Sequence, residues 1–148
     1  MNKTEHDIII GFDFGMKRIG VAVGQTVTQT ARPLGVVNAK QGSPDWTSLI
    51  RFVTTWHPDA FVVGIPLNMD GTEQPLTTAA RTFAESLAMR FQLPVYGMDE
   101  RLTSVEAKAR IFAEGGYKAL KNTEIDSFAA QLILQNWLLE YASNTTKK

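Results

Sequence analysis

The spacing between the strand-forming segments constrains the fold of this chain more than any other feature. Three apolar, β-branched segments, at about residues 7–14, 19–23 and 33–38, are joined by links of hairpin length. The next two, at 60–65 and 94–98, each follow a segment with helical spacing of its apolar residues. Hairpin links require antiparallel pairing, whereas helical crossovers allow parallel pairing. The sequence therefore predicts an α/β fold: a five-stranded mixed sheet, its first three strands antiparallel, with helices on both faces.

Local signals place four helices between and after these strands. Ser43-Pro44-Asp45 predicts a helix start, with a hydroxyl N-cap, proline at the first helical position and an acid in the first turn, and Pro58 stops that helix. A second helix is predicted from Gln74 to Phe91. Capping-box patterns open the last two helices, at 103–114 and 123–141.

Length and composition narrow the classes of protein. The 148 residues fit one domain, and we expect residues 1–142 to form it and 143–148 to be a disordered polar tail. With 15 basic and 15 acidic side chains, the chain is not a uniformly basic nucleic-acid binder, although a local basic patch would suffice. The absence of cysteine excludes disulfide scaffolds and thiol catalysis. Without a long apolar segment or a signal-peptide pattern, we expect a cytoplasmic protein and no membrane contact.

A carboxylate inside an apolar strand is the most unusual feature of the chain. Asp13 stands between Phe12 and Phe14 and is flanked by Gly11 and Gly15. Burying a carboxylate is costly unless it is paired, hydrogen-bonded or bound to a cation. One interpretation is a carboxylate that caps the hairpin turn. The alternative is a ligand-binding group, which the glycines favour because they let another backbone, a phosphate or a metal come close.

Two further acids are candidates for the same site. Glu100 follows the last predicted strand, at the end where ligands gather in sheets with parallel strands, or it is a solvated charge paired with Arg101. Asp126 lies in the first turn of the last predicted helix, where it caps the helix, binds a ligand or does both. If the three acids converge, their hard oxygen ligands favour Mg²⁺ or Mn²⁺. Two such ions can hydrolyse a phosphodiester without a side-chain nucleophile.

Basic side chains near these acids would hold a polyanionic substrate. The candidates are Lys17, Arg18, Arg101, Lys108, Lys118 and Lys121. The alternative for each of them is an ordinary solvated charge on the surface. The two histidines, His6 near the start of the chain and His57 at a helix end, are expected to have surface or capping roles.

Four short motifs follow one another along nearly the whole chain. They are GFDFGMKRIGVAV at 11–23, VGIPLNMDG at 63–71, DERLT at 99–103 and IDSFAAQLILQ at 125–135. In this order they resemble the YqgF family of ribonuclease H-like proteins, described as Holliday-junction-resolvase-like or as pre-16S rRNA nucleases. One departure is visible: family members often continue the first motif with Ser-Asp, whereas Gly24-Gln25 follow here and remove an auxiliary acid.

The resemblance implies a ribonuclease H-like fold and a divalent-metal nuclease whose acidic triad falls on Asp13, Glu100 and Asp126. It also implies a cytoplasmic role in maturing the 5′ end of 16S rRNA, with pre-rRNA and ribosome precursors as partners. On this hypothesis Asp13 and Asp126 coordinate metal, and Glu100 is a further ligand or orients the attacking water. Asn68 and the basic side chains would position phosphates.

Three alternatives remain open at this point. A Holliday-junction resolvase would apply the same chemistry to four-way DNA and needs two active sites in a two-fold dimer, so both a monomer and a weak homodimer are kept. An actin-like ATP-binding module would use the Asp-x-Gly turn at 13–15, but the chain has no second copy of that loop. A non-catalytic binding domain on the same scaffold would show no dependence on Mg²⁺ or Mn²⁺.

Overall fold

The computed structural model describes residues 6–100 and 122–146, with side chains in the second segment given over 126–142. Its strands are β1 (Ile8–Asp13), β2 (Arg18–Gln25), β3 (Thr30–Lys40), β4 (Ser43–Pro44), β5 (Ala60–Ile65) and β6 (Val95–Asp99). Its helices are α1 (Trp46–Trp56), α2 (Pro75–Phe91) and α3 (Asn122–Thr146). The helix predicted at 103–114 lies outside the described residues.

The described strands form one mixed sheet in the order β4-β3-β2-β1-β5-β6. β1, β2 and β3 pair antiparallel, whereas β5 runs parallel to β1 and β6 parallel to β5. The predicted antiparallel start and parallel continuation are therefore confirmed. The strand count is corrected from five to six, because Ser43 and Pro44 form a short strand that pairs with Lys40 and Ala39.

This short strand also corrects the predicted start of the first helix. Ser43 and Pro44 are held extended by their pairing with β3, so they do not open α1. Asp45 is the N-cap instead: its carboxylate accepts from the Thr47 N–H and from the Ser48 hydroxyl, each at 3.2 Å. A carboxylate at this position satisfies donors of the first turn that have no partner within the helix.

The two histidines take the kinds of position that the sequence predicted. His57 is the C-cap of α1 in the left-handed region, at φ 49°, and its N–H donates to the Val53 carbonyl. The His6 ring Nε2 lies 2.8 Å from the Tyr96 hydroxyl, and the ring stacks against Tyr141. Neither contact involves the acids singled out in the sequence.

Alternation along the strands divides the core between the two faces of the sheet. One face carries large side chains, among them Phe12, Val21 and Phe61, which are fully buried against α1 and α2. The other face carries smaller ones, such as Ala22 and Ala60, and packs against α3. Helices thus cover both faces, as predicted. Within the described part of the chain, no helix is both long and apolar enough to cross a membrane.

Glycines on the α3 face let this helix lie directly on the sheet. A Cβ placed on Gly11 would be 2.8 Å from the Leu134 Cβ, and one on Gly24 would be 2.7 Å from the Leu138 Cδ1. Both leucines are buried at this contact. The close approach brings the N-terminal part of α3 to the edge of the sheet where β1 ends.

Two buried glutamines of α3 hold the adjacent strand β3. The Gln131 amide donates to the Ala31 carbonyl at 2.9 Å, and the Gln135 side-chain oxygen accepts from the Ala31 N–H at 3.1 Å. The Gln135 amide also donates to the Gln29 carbonyl at 2.6 Å. The two bonds to Ala31 give this residue of β3 the partners that a neighbouring strand would otherwise supply, and the bond to Gln29 holds the turn before β3. They fix α3 along the sheet.

Candidate active site

Asp13 is the last residue of β1, at the edge where the parallel strands β1, β5 and β6 all end. Phe12 and Phe14 are buried in the core beneath α1 and α2. Because neighbouring side chains of a strand alternate between faces, the Asp13 carboxyl lies on the α3 face. The topology therefore places it beside the groups that follow β5 and β6.

Glu100 follows β6 directly and reaches across β5 toward Asp13. Gly64 of β5 leaves room for the Glu100 side chain to cross, since a Cβ at this position would lie only 2.6 Å from the Glu100 Oε1. The side chains of Asp13 and Glu100 are hydrogen-bonded to each other. Two carboxyl groups can form such a bond only when one of them is protonated. The structure thus brings the first two predicted acids together around a shared proton.

Burial and mutual repulsion set the charge of this pair. Burial first, then the charge and hydrogen bond of Glu100, and then the charge of Asp126 raise the pKa of Asp13 to about 8. Burial also raises the pKa of Glu100, against a lowering by its hydrogen bond to Asp13, and the charge of Asp99 raises it further. The pair therefore keeps one proton at neutral pH.

Asp126 reaches the same edge from α3. Gly20, which pairs with Asp13 in the β1–β2 ladder, lies against the helix backbone, and a Cβ there would overlap the Asp126 carbonyl oxygen. The predicted capping box is corrected, because α3 already includes Asn122 and Thr123. Asp126 is thus a residue within the helix, and Thr123 is not its N-cap.

The carboxylate of Asp126 forms an ion pair with Arg18. The Arg18 Nε donates to the Asp126 Oδ2 at 2.7 Å, and the two side chains are 50% and 26% exposed. Arg18 is the first residue of β2, next to the edge where Asp13 lies. A predicted substrate-binding cation and a predicted metal ligand are therefore in contact with each other.

The three acids offer the oxygen ligands that a hard divalent cation prefers, but only two of the three carboxyl groups are placed together. Asp13 and Glu100 share a proton that a cation would displace, since carboxylates bind metals in the ionised form. Asp126 is close enough for its charge to raise the pKa of Asp13, but its carboxylate is paired with Arg18. Among the described residues, no three acidic or histidine side chains are grouped closely enough to hold one ion. The Asp13–Glu100 pair is thus the part of the triad that is assembled.

The remaining predicted site residues have different surroundings. Lys17 is exposed in the turn between β1 and β2. Asn68 follows β5 at the same edge, but its amide donates to the Thr72 hydroxyl at 2.9 Å, and Asp70 accepts from the N–H and hydroxyl of Thr72. Asn68 therefore stabilises its own loop. Four predicted cations lie outside the described residues: Arg101, Lys108, Lys118 and Lys121.

The two glycines beside Asp13 make room for other groups of the protein: a backbone at Gly15, as the sequence interpretation allowed, and a side chain at Gly11. The space beside Gly11 is filled by Leu134, and a Cβ on Gly15 would overlap the Arg18 carbonyl oxygen. These glycines accommodate protein groups. The residues that bring the acids together, Gly20 and Gly64, were not singled out from the sequence. The sequence feature that could have indicated Gly20 and Gly64 is the small residue at every second position of otherwise β-branched segments.

Comparison with protein families gives a match over most of the chain. Residues 7–140 match the RuvX family model, which is described as Holliday junction resolvase. A relative from Coxiella burnetii (strain RSA 331 / Henzerling II) is 54% identical over 133 residues, which cover 90% of this chain and 93% of the relative. One from Salmonella paratyphi B is 51% identical over 131 residues, covering 88% and 95%. Both are named "Putative pre-16S rRNA nuclease".

Holliday junction resolvases are among the solved structures with a similar fold. Thermus thermophilus RuvC in complex with a Holliday junction substrate aligns with a TM-score of 0.58 and 17% identity, over 92% of this chain and 96% of that chain. The fowlpox virus resolvase, in complex with Holliday junction DNA, aligns with a TM-score of 0.52 and 15% identity, over 93% and 98%. At these identities the similarity concerns the fold, and it confirms the predicted ribonuclease H-like architecture.

Proposed function

The chain belongs to the RuvX (YqgF) family, and from that premise we propose that it is a nuclease that hydrolyses phosphodiester bonds in structured RNA. The observation that carries the proposal is the Asp13–Glu100 pair, two buried carboxyl groups that share a hydrogen bond where three parallel strands end. Keeping two such groups together costs folding free energy, and proteins concentrate groups with strongly shifted pKa values at functional sites. The edge formed by strand ends is also where sheets of this kind bind ligands.

We assign the binding of Mg²⁺ or Mn²⁺ to Asp13 and Glu100, with Asp126 as the third ligand. Bound there, the metal would activate a water for attack on phosphorus and stabilise the leaving oxygen. The Asp13–Glu100 pair must give up its proton before both groups can act as ligands, and a nearby dication lowers its pKa. Glu100 is either a further ligand or the group that orients the attacking water.

Basic side chains would hold the nucleic-acid backbone at this edge. Arg18 is half exposed, and Lys17 is exposed in the adjacent turn, so a phosphate can approach both. We assign the same role to Asn68, Arg101, Lys118 and Lys121, which belong to or follow the family motifs. Phosphate contacts fix the position of a substrate without selecting its base sequence.

For the substrate we propose the 5′ region of pre-16S rRNA within ribosome precursors, and the cytoplasm as the location. The support is the name of relatives that are 51–54% identical over most of this chain. Such relatives are far closer in sequence than the resolvases that share the fold at 15–17% identity.

A second candidate function is resolution of four-way DNA junctions. It is favoured by the description of the family model and by the fold that this chain shares with RuvC. Paired cuts across a junction require two copies of the site related by two-fold symmetry. A chain that stays monomeric with bound junction DNA, measured by light scattering, would contradict this candidate.

The decisive experiment compares Asp13→Asn with the parent on an RNA that carries the 5′ extension of 16S rRNA, and on a four-way DNA junction. We expect Asp13→Asn to lose at least about 100-fold in cleavage rate with Mg²⁺ or Mn²⁺. Asp7→Asn is the matched control, because it makes the same change at the exposed residue that precedes β1, away from the Asp13 end of the strand, and should leave the rate unchanged. Equal cleavage by Asp13→Asn and parent would overturn the proposal.

A further inference from the structure

Resting on the proposed function, we infer that Arg18 and the divalent cation compete for the carboxylate of Asp126. In the free protein Arg18 holds this carboxylate, so that of the three acids Asp13 and Glu100 are left for the cation. Arg18 is then a positioning residue: it must release Asp126 before the third ligand can join the pair.

The geometry separates the fixed part of Asp126 from its mobile part. The backbone of Asp126 is held against β2, because its carbonyl oxygen occupies the space beside Gly20. Gly20 is itself the ladder partner of Asp13. The α-carbon therefore stays close to Asp13, and rotation of a short side chain decides whether the carboxylate faces Arg18 or the Asp13–Glu100 pair.

The ion pair is of a kind that a stronger partner can break. Both side chains are partly exposed, at 50% and 26%. Exposed pairs change an equilibrium constant by a factor of only about 1.5 to 5. A phosphate offers the guanidinium a charge-assisted, bidentate contact, which is stronger than a single Nε–carboxylate bond.

This competition explains two observations that otherwise conflict. The backbone of Asp126 lies against Gly20, the ladder partner of Asp13, so the two acids are close in space. Yet no group of three acids in the described residues is arranged to hold one ion. Both follow if the bond to Arg18 turns the Asp126 carboxylate aside. Binding of a substrate phosphate to Arg18 would then strengthen metal binding, and metal would strengthen phosphate binding by the same factor.

The first test measures Mn²⁺ affinity by titration calorimetry without nucleic acid. Arg18→Gln removes the competitor, so we expect it to bind Mn²⁺ about three- to fivefold more tightly than the parent. Arg51→Gln is the matched control: it makes the same change at an exposed position of α1, on the other face of the sheet, and should change the affinity by less than about twofold. Equal effects of the two variants, or weaker binding by Arg18→Gln, would overturn the inference.

The second test uses the unmodified protein and does not depend on a variant that folds. The Nε–H resonance of Arg18, assigned by its loss in Arg18→Lys, is followed by NMR during a Mg²⁺ titration. We expect it to shift as the bond to Asp126 breaks, with the same midpoint as calorimetric binding. A resonance that stays in place while Mg²⁺ binds would refute the competition.

These outcomes are separate from failure of the proposed function. Cleavage by Asp13→Asn would remove the nuclease assignment of the acids. An unchanged Arg18 signal together with normal, Asp13-dependent cleavage would remove only the competition for Asp126.

Discussion

Gly20 lies directly across from Asp13 in the β1–β2 ladder, and the side chain it lacks leaves room for the backbone of Asp126. One glycine thus joins two acids that are far apart in the sequence. Gly64 does the same for Glu100, whose carboxyl group crosses β5 to reach Asp13. The two glycines are therefore as necessary for the geometry of the site as the three acids are.

Substituting Gly20 should damage both folding and the site. In Gly20→Ala the new methyl group overlaps backbone of α3, so the helix must shift, and we expect a loss of about 1–3 kcal/mol in the free energy of unfolding. Urea denaturation measures the loss, and cleavage assays should show a lower rate. Gly97→Ala is the control, since its nearest neighbour is a side-chain atom of Ile65 at 3.1 Å and β6 is exposed there. Equal stability of the two variants would contradict this account of Gly20.

The shared proton predicts how stability depends on pH without metal. The pKa of Asp13 is raised from 3.8 to about 8 in the folded protein, so between these values the folded state binds more protons than the unfolded state. The stabilising contribution of the protonated group is complete below pH 4 and is lost as the pH rises to about 8. The asparagine of Asp13→Asn does not titrate, so this variant does not lose stability in this way. Its free energy of unfolding minus that of the parent should therefore rise by up to about 4 kcal/mol between pH 5 and 8.

Urea denaturation of both proteins at pH 5, 6.5 and 8, in the presence of a chelator, checks this prediction. Asp45→Asn is a suitable control, because that carboxylate caps α1 through two exposed hydrogen bonds away from the acidic pair. A difference between Asp13→Asn and parent that stays constant over this range would show that Asp13 is ionised throughout.

The bonds from Gln135 of α3 to Ala31 and Gln29, away from the acidic site, should contribute to the free energy of unfolding. Gln135→Ala leaves the buried Ala31 N–H and the Gln29 carbonyl without their side-chain partners, so we expect a loss of about 2–3 kcal/mol in the free energy of unfolding. Glu140→Ala, an exposed position on the same helix, should change it by less than about 0.5 kcal/mol. A Gln135→Ala protein as stable as Glu140→Ala would mean that water replaces both bonds.

Much of the fold was predictable because it depends on local patterns. The β-branched segments, the hairpin-length links and the helical spacing at 46–56 and 75–91 are properties of neighbouring residues, and they gave the mixed sheet and its two covered faces. Asp13 was recognisable for the same reason, since a carboxylate within an apolar strand is visible in a few residues of sequence. The family followed from four motifs in a fixed order. The catalytic roles of Asp13, Glu100 and Asp126 stay predictions.

Other features were decided only by contacts between distant segments. Ser43 and Pro44 have good local helix-start signals, but pairing with β3 holds them extended and moves the cap to Asp45. The bond between Arg18 and Asp126 joins residues 108 positions apart and has no local signature. Sequence patterns therefore determined which side chains were chemically unusual. Packing of α3 against glycines determined which of them meet, because close approach depends on the shapes of two surfaces that form only when the chain has folded.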